Sequence, residues 1–267
     1  RLTSLILKIK MVISFILTMI SKPLISVVIT YFKKKNFIKK TLDSIFNQKY
    51  KNFELVFVFD DKDKKDLEFI KSLLKKFKRK KLIVNNNNLG VAASRNLAIK
   101  YCKGDFLAFI DADDIWLKNK LKIQLNLMLK GGYLFSYSAY SIINSNGKFV
   151  STRQVSKNIN YLKLIKSCEI GLSTVMIQNK LFNQLKFPNL KTQEDFALWL
   201  KLLRKGYKFF PIKKVLSSWR TTENSLSANK FQKLIDAFKL FYIHENKNFI
   251  YSIYGVIVLT YNKTLRA

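Results

Sequence analysis

The chain is short of acid. Only 17 Asp and Glu stand against 49 Lys and Arg, leaving a formal net charge of +32. It has a single His, His244, in the polar stretch "YIHENKN". One His excludes a His-rich metal site and speaks against a Ser-His-Asp apparatus. Cys102 and Cys168 lie far apart without partner spacing, so neither a disulfide framework nor a zinc knuckle is indicated. Both read as reduced, structural thiols of a cytosolic compartment. Eight Gly and three Pro leave few interruptions, and with 14% aromatic and 48% hydrophobic residues disorder is excluded. The 267 residues suit one domain, or one domain with an added lobe.

A field of this sign draws anions of any kind, from nucleic acid to acidic headgroups and phosphorylated small molecules. The lysines are spread along the chain ("KKFKRKK", "KNKLK", "FPIKK") rather than gathered in a tail. They read as a solvating surface, and no nucleic-acid partner is expected. Two segments are apolar enough to touch a membrane. Residues 11–21 are uncharged but bounded by Lys8, Lys10 and Lys22, about half the ~20 residues a spanning helix needs. Residues 248–262 carry four Tyr or Phe and are again flanked by Lys. Neither spans; each fits a helix in the interface of an anionic leaflet, or one packed on the core.

From residue 24 the periodicity alternates. "LISVVIT" (24–30), "FELVFVF" (53–59), "KLIV" (81–84) and "FLAFI" (106–110) read as buried strands. Between them, Ile38, Leu42 and Ile45, then Leu67, Ile70 and Leu74, then residues 91–102, recur at helical spacing. This is the pattern of an α/β fold with a mostly parallel sheet and helices on both faces. Beyond it come a helix over 121–129, a strand in "YLFSYSAYSII", a short strand in "STVMIQ", and a helix in "EDFALWLKLLRKG" with acids first and bases last. No repeat or linker divides the chain.

The few acids collect at strand ends. In open parallel sheets ligands bind beyond the carboxyl ends of the strands. That rule selects Thr30 and Phe32, then Asp60 and Asp61, then residues 85–88, then Asp111, Asp113 and Asp114. Carboxylates of this kind suit Mg²⁺ or Mn²⁺, whose shell is completed by phosphate oxygens and water. Asp is also a common turn former after a strand, so either D-x-D or "FDD" alone is weak. Two on one sheet are much stronger.

"SVVITYF", "FELVFVFDD", "NNLGVAASRNLAI", "GDFLAFIDADD" and "QEDFALWLKLLRKG" occur in the order and spacing of family 2 glycosyltransferases with the GT-A fold. The chain resembles the bacterial members that build lipopolysaccharide, capsule and other surface polysaccharides, over roughly residues 24–227. The resemblance implies a Rossmann-like GT-A sheet with a mixed second half and C-terminal helices. It implies that Thr30 and Phe32 border the nucleotide base and that Asp61 bonds base or ribose. By the same likeness Arg95 meets the nucleotide. Asp111 and Asp113 form the D-x-D pair, Asp111 nearer the ribose and Asp113 on the metal. Asp114 then lies close to the donor sugar, and Asp195 is the general base. Three departures stand out. "TYFKKKN" lacks the usual Pro and Asn around its aromatic, and "DDKDKKD" replaces a Gly-Ser turn. In "WRTTENSLS", Thr222 stands where a His is often found, which shifts phosphate contact toward Arg220.

The expected organisation is an apolar extension over 1–22 and a GT-A domain over 23–230. Its nucleotide half is 23–115 and its acceptor half 116–230, with amphipathic, membrane-proximal helices over 231–267. The expected activity is inverting transfer from a nucleotide-sugar donor, a UDP-sugar, to a lipid-linked or growing surface glycan. A divalent metal, Mg or Mn, assists, and the location is cytoplasmic, peripheral to the inner membrane, in contact with anionic lipid. Two other readings are a non-catalytic polyanion-binding protein and a nucleotidyltransferase on a related sheet. The acids at the sheet edge oppose the first, and the lack of Gly in "TYFKKKN" opposes the second.

Overall fold

The computed structural model describes residues 22–183, 185–222 and 229–265. The expected extension over 1–22 therefore falls almost wholly outside the described residues, as does the stretch 223–228. The first half follows the alternation in the sequence: β1 (Ile25–Tyr31), α1 (Lys35–Phe46), β2 (Phe53–Phe59), α2 (Lys64–Leu74), β3 (Lys80–Val84), α3 (Val91–Ile99) and β4 (Phe106–Asp111). α3 stops three residues earlier than its apolar pattern suggests. The second half holds β5 (Ile115–Trp116), α4 (Lys120–Gly131), β6 (Phe135–Ile143), β7 (Phe149–Arg153), α5 (Tyr161–Leu164), β8 (Met176–Gln178), α6 (Glu194–Arg204) and β9 (Phe209–Arg220). Two helices, α7 (Lys230–Lys239) and α8 (Phe249–Leu265), close the chain.

One sheet runs through both halves in the order β3-β2-β1-β4-β8-β6-β9-β5, with β7 paired to β6. β3, β2, β1 and β4 are parallel, β8 is antiparallel to both its neighbours, and β9 runs parallel to β6. Because β5 pairs with β9, the expected boundary between 115 and 116 falls inside the sheet.

Alternate residues of β1 feed opposite cores, as the period of two demands. Ile25, Val27, Ile29 and Tyr31 pack with Ile38, Leu42 and Ile45 of α1 and Ile70 and Leu74 of α2. Val28 faces the other layer, with Ala92 and Ala98 of α3 and Leu198 and Trp199 of α6. The turn before β4 needs Gly104: a Cβ there would meet Ser26 N at 2.5 Å, so any side chain would push β4 away from β1. Neither Cys102 nor Cys168 forms a disulfide; burial pushes the Cys102 thiol up to about 12, so it is an inert packing group.

Candidate active site

Register brings the site together. Tyr31 of β1 lies opposite Phe59 of β2, Phe59 opposite Val84 of β3, and Thr30 opposite Asp111 of β4. The carboxyl ends are flush, so the residues after them share one edge. From β1 the chain winds to β3 on one side and then crosses to β4 on the other. The crevice between β1 and β4 is thus the switch point where ligands bind in such sheets.

The loop after β1 is set by its acids. Tyr31 is buried, stacks on Phe59 with centroids 5.3 Å apart, and donates its hydroxyl to Asp66. Lys33 takes a left-handed backbone (φ 50°), and its N–H donates to Asp61 Oδ2 at 3.0 Å. The other Asp61 oxygen accepts from Lys62 N at 2.7 Å. Both oxygens of Asp61 thus already take backbone donors of this edge. Phe32 is 40% exposed, with Lys33 Nζ 5.2 Å from its ring centre. Asp60 does a related task for the Asn-rich turn, accepting from Leu89 N and Gly90 N at 2.8 and 2.9 Å. Gly90 (φ 82°) then starts α3, one turn before Arg95.

Arg95 is engaged within the chain. Its guanidinium is buried and holds two carboxylates: Asp111 Oδ1 at 2.7 Å from Nη2, and Glu194 through Nη1. It is a bridge between the D-x-D and the "QED" turn. Asp114 and Arg220 also bond within the chain. Asp114 is buried, with Oδ2 accepting from Ser173 Oγ at 2.6 Å and Oδ1 from Arg220 N at 2.9 Å. Burial first, and then Asp113 and Asp111, raise its carboxyl well above the usual range. Each of its oxygens thus already accepts one hydrogen bond from the chain. Arg220 is an interior brace: Nε donates to Asp113 O at 2.8 Å and Nη1 to Asn144 O and Ser145 O, while its plane lies over Phe37. Among the described residues Nη2 is without a partner, so the shift of phosphate contact toward Arg220 rests on one amino group.

Asp113 and Asp111 remain available at the edge, their side chains 12% and 37% exposed. Lys34 Nζ lies 2.6 Å from Asp113 Oδ2 and 3.3 Å from Thr222 Oγ1. Burial raises the Asp113 carboxyl, Lys34 pulls it back, and Asp111 raises it again, so the position calls for positive charge. Among the described residues no three His, Cys, Asp or Glu gather as a metal cage. Mg²⁺ and Mn²⁺ do not need one: one or two carboxylates plus phosphate oxygens suffice, and Asp113 with Asp111 supplies that donor set.

At the other wall, Gln193 adopts a left-handed backbone (φ 63°) and opens α6. Asp195 Oδ1 accepts from the N–H of Phe196 at 2.7 Å. Its carboxyl is pushed up to about 7, by burial first and then by neighbouring Glu194, against the pull of Arg95. A carboxylate with that value takes a proton efficiently near neutrality. Glu194, its neighbour in sequence, pairs with Arg95.

Two contributors went unnoticed in the sequence. Ser173, expected within a strand, sits in a single 3₁₀ turn over 172–174; its Oγ bonds Asp114 and also accepts from Asp111 N at 3.0 Å. No local motif marks it. Lys34 was visible only as one of three consecutive lysines; the positive φ of Lys33, which turns the chain into the crevice, is not written in "KKK".

The fold and this edge define a GT-A glycosyltransferase, and comparison with known proteins gives the family. The model of "Glycosyl transferase family 2" matches residues 26–191, and the chain belongs to that family. It is 38% identical over 219 residues to the UDP-Glc:alpha-D-GlcNAc-diphosphoundecaprenol beta-1,3-glucosyltransferase WfgD of Escherichia coli, covering 79% of this chain and 82% of that one. It is 31% identical to the putative teichuronic acid biosynthesis glycosyltransferase TuaG of Bacillus subtilis, over 79% of this chain and 84% of TuaG. In fold it is similar to S. aureus TarS solved with UDP-GlcNAc (TM-score 0.69, 19% identity, 87% of this chain and 70% of that one). It is similar too to the mannosyltransferase PcManGT of Pyrobaculum calidifontis solved with GDP-Man and Mn²⁺ (TM-score 0.66, 13% identity, 88% and 70%).

Proposed function

We propose that this glycosyltransferase moves a sugar from a UDP-sugar to a hydroxyl of a lipid-linked, growing surface glycan, with inversion at the anomeric carbon. The observation that carries the reading is the buried Arg95 fork, which ties Asp111 of the donor edge to Glu194, the residue beside Asp195. Donor acids and a carboxylate poised near neutrality are thereby held by one rigid bridge.

The donor lies along the carboxyl edge of the nucleotide half, residues 23–115, with its base against Phe32 and its ribose toward Asp61 and Asp111. The acceptor half, residues 116–230, contributes Asp195. Asp195 removes the proton from the acceptor hydroxyl, and the oxygen attacks the anomeric carbon opposite the diphosphate. The bond to the diphosphate oxygen breaks in the same displacement, so one inversion results. Asp113 and Asp111 would hold Mg²⁺ or Mn²⁺, which supplies positive charge beside the diphosphate. Lys34, at the same place, adds a cation of the chain's own. WfgD and WfaP, both glucosyltransferases of Escherichia coli, bear names specifying UDP-Glc and a diphosphoundecaprenol-linked GlcNAc, which supports this donor and acceptor class. PcManGT, solved with Mn²⁺, supports the metal. An acceptor of that kind fits a peripheral enzyme on the cytoplasmic face of the inner membrane.

The test is to incubate the protein with a panel of UDP-sugars and a polyprenyl-diphosphate-linked GlcNAc, following products by mass and anomeric configuration. Transfer with an inverted linkage by the wild type and none by Asp195→Asn is expected. Transfer with retention, or undiminished transfer by Asp195→Asn, would refute the mechanism.

A further inference from the structure

The C-terminal helices carry much of the exposed apolar surface among the described residues. Of the twenty-two exposed large hydrophobic residues among those described, twelve fall between residues 231 and 261. α8 runs 17 residues, about 25 Å, and has no charged side chain from 249 to 262. Its inner side packs through Ser252, Gly255 and Leu259; a Cβ at Gly255 would lie 2.6 Å from the Phe241 ring. Its outer side repeats Ile250, Tyr254, Ile257 and Tyr261 at steps of four, three and four, each at least 60% exposed. Phe231 of α7 and Ile243 of the turn between the helices add to the same terminal lobe. No helix among the described residues is long and apolar enough to cross a membrane.

The charge around the apolar stripe selects what covers it. Lys230, Lys239 and Lys247 flank it, and Lys247 Nζ lies 5.2 Å from the Tyr251 ring centre. A second copy, itself at +32, would be repelled. An apolar stripe of Ile and Tyr with a lysine rim fits an acidic lipid leaflet, where each basic residue near the surface adds about 1 kcal/mol.

The lobe also reaches the catalytic wall. Asp236 of α7 is buried, and its Oδ2 accepts from both Thr192 N at 2.8 Å and Thr192 Oγ1 at 2.9 Å. Gln193 Nε2 donates to Lys233 O at 3.3 Å. These contacts fasten the lobe to the turn that carries Asp195.

We propose that α7 and α8 form a docking platform for anionic lipid, and that Asp236 clamps this platform to the turn bearing Asp195, so that docking brings the acceptor wall to the lipid surface. The proposal rests on the reading of a lipid-linked acceptor. It is tested by sedimentation of the full chain with vesicles of phosphatidylcholine, with or without about one third phosphatidylglycerol, at about 0.15 M salt. Melting temperature, UDP binding and molecular mass by light scattering are measured on the same preparations. The wild type should bind acidic vesicles at least ~10-fold better than neutral ones. Ile250→Glu/Ile257→Glu, both on the outer face, should lose at least ~10-fold of that binding while melting and binding UDP as the wild type does. Failure of the wild type to bind acidic vesicles, or equal binding by the double variant, would overturn the platform. So would a stable wild-type dimer that the double variant dissolves, because a second copy would then own the surface. UDP binding without vesicle binding would sink the platform alone; vesicle binding without UDP binding would instead sink the glycosyltransferase site.

Discussion

Lys34 Nζ sits 2.6 Å from Asp113 Oδ2, so the chain places one of its own cations on the acid expected to hold the metal. An ammonium there gives the diphosphate a partner before any metal arrives. Lys34→Met, which keeps most of the side chain's apolar stem, should lower UDP affinity in the presence of a chelator by about tenfold, or ~1.4 kcal/mol. Calorimetry with UDP in chelator reads this directly. Equal affinity in the two proteins would show that Lys34 merely fills space.

The carboxyl of Asp195, raised to about 7 by burial and Glu194, makes a pH prediction. Only the ionised form accepts a proton, so kcat should fall as pH drops below about 7. The stability of the fold runs the other way. A carboxyl with a raised folded value binds its proton more tightly folded than unfolded, so this contribution is lost as pH climbs from about 4 to about 7. Asp195→Asn should therefore abolish transfer yet raise the melting temperature at pH 8, by about 2–4 °C for each kcal/mol recovered. The gain should be smaller at pH 5 and vanish near pH 4, where the carboxyl is protonated in both states.

Glu194 is a like charge next to the base, and its removal separates two roles. In Glu194→Gln, Arg95 keeps its pull on Asp195 while the repulsion is gone, so the acid limb of the kcat profile should move down by about one pH unit. A purely structural Glu194 would lower activity at every pH without moving that limb.

Ser173 supports the D-x-D from behind by donating to Asp114 Oδ2 and accepting from Asp111 N. Ser173→Ala leaves a buried carboxyl short of a donor, a loss of about 1–3 kcal/mol. The expected result is a lower melting temperature together with a UDP affinity weakened several-fold. Ser173→Thr, which keeps the hydroxyl, should restore most of the affinity.

The parallel half was legible because burial on both faces writes continuous apolar runs, as in "LISVVIT" and "FELVFVF". β9, the longest strand, was not. Its pairing with β6 shifts register near Ala139, and Lys213 and Lys214 are both exposed in succession, so "FFPIKKVLSSWR" never alternates. Among the acids, sequence could set Asp111, Asp113 and Asp195 at the ends of elements. It could not show that Arg95 is shared between Asp111 and Glu194, 99 positions apart along the chain in the second pairing. Nor could it show that Asp114 turns inward to Ser173, because both depend on how α3, α6 and the 172–174 turn pack over the crevice.

The central claim is that the acid edge between β1 and β4 is a site for a nucleoside diphosphate. Calorimetric titration of the wild type and of Asp113→Asn with UDP, each with and without Mn²⁺, tests it most directly. The wild type should bind UDP and bind it more tightly with Mn²⁺, and Asp113→Asn should lose that gain, at least ~10-fold in affinity, without unfolding. No binding of UDP to the folded wild type under either condition, or an undiminished Mn²⁺ effect in Asp113→Asn, would contradict it.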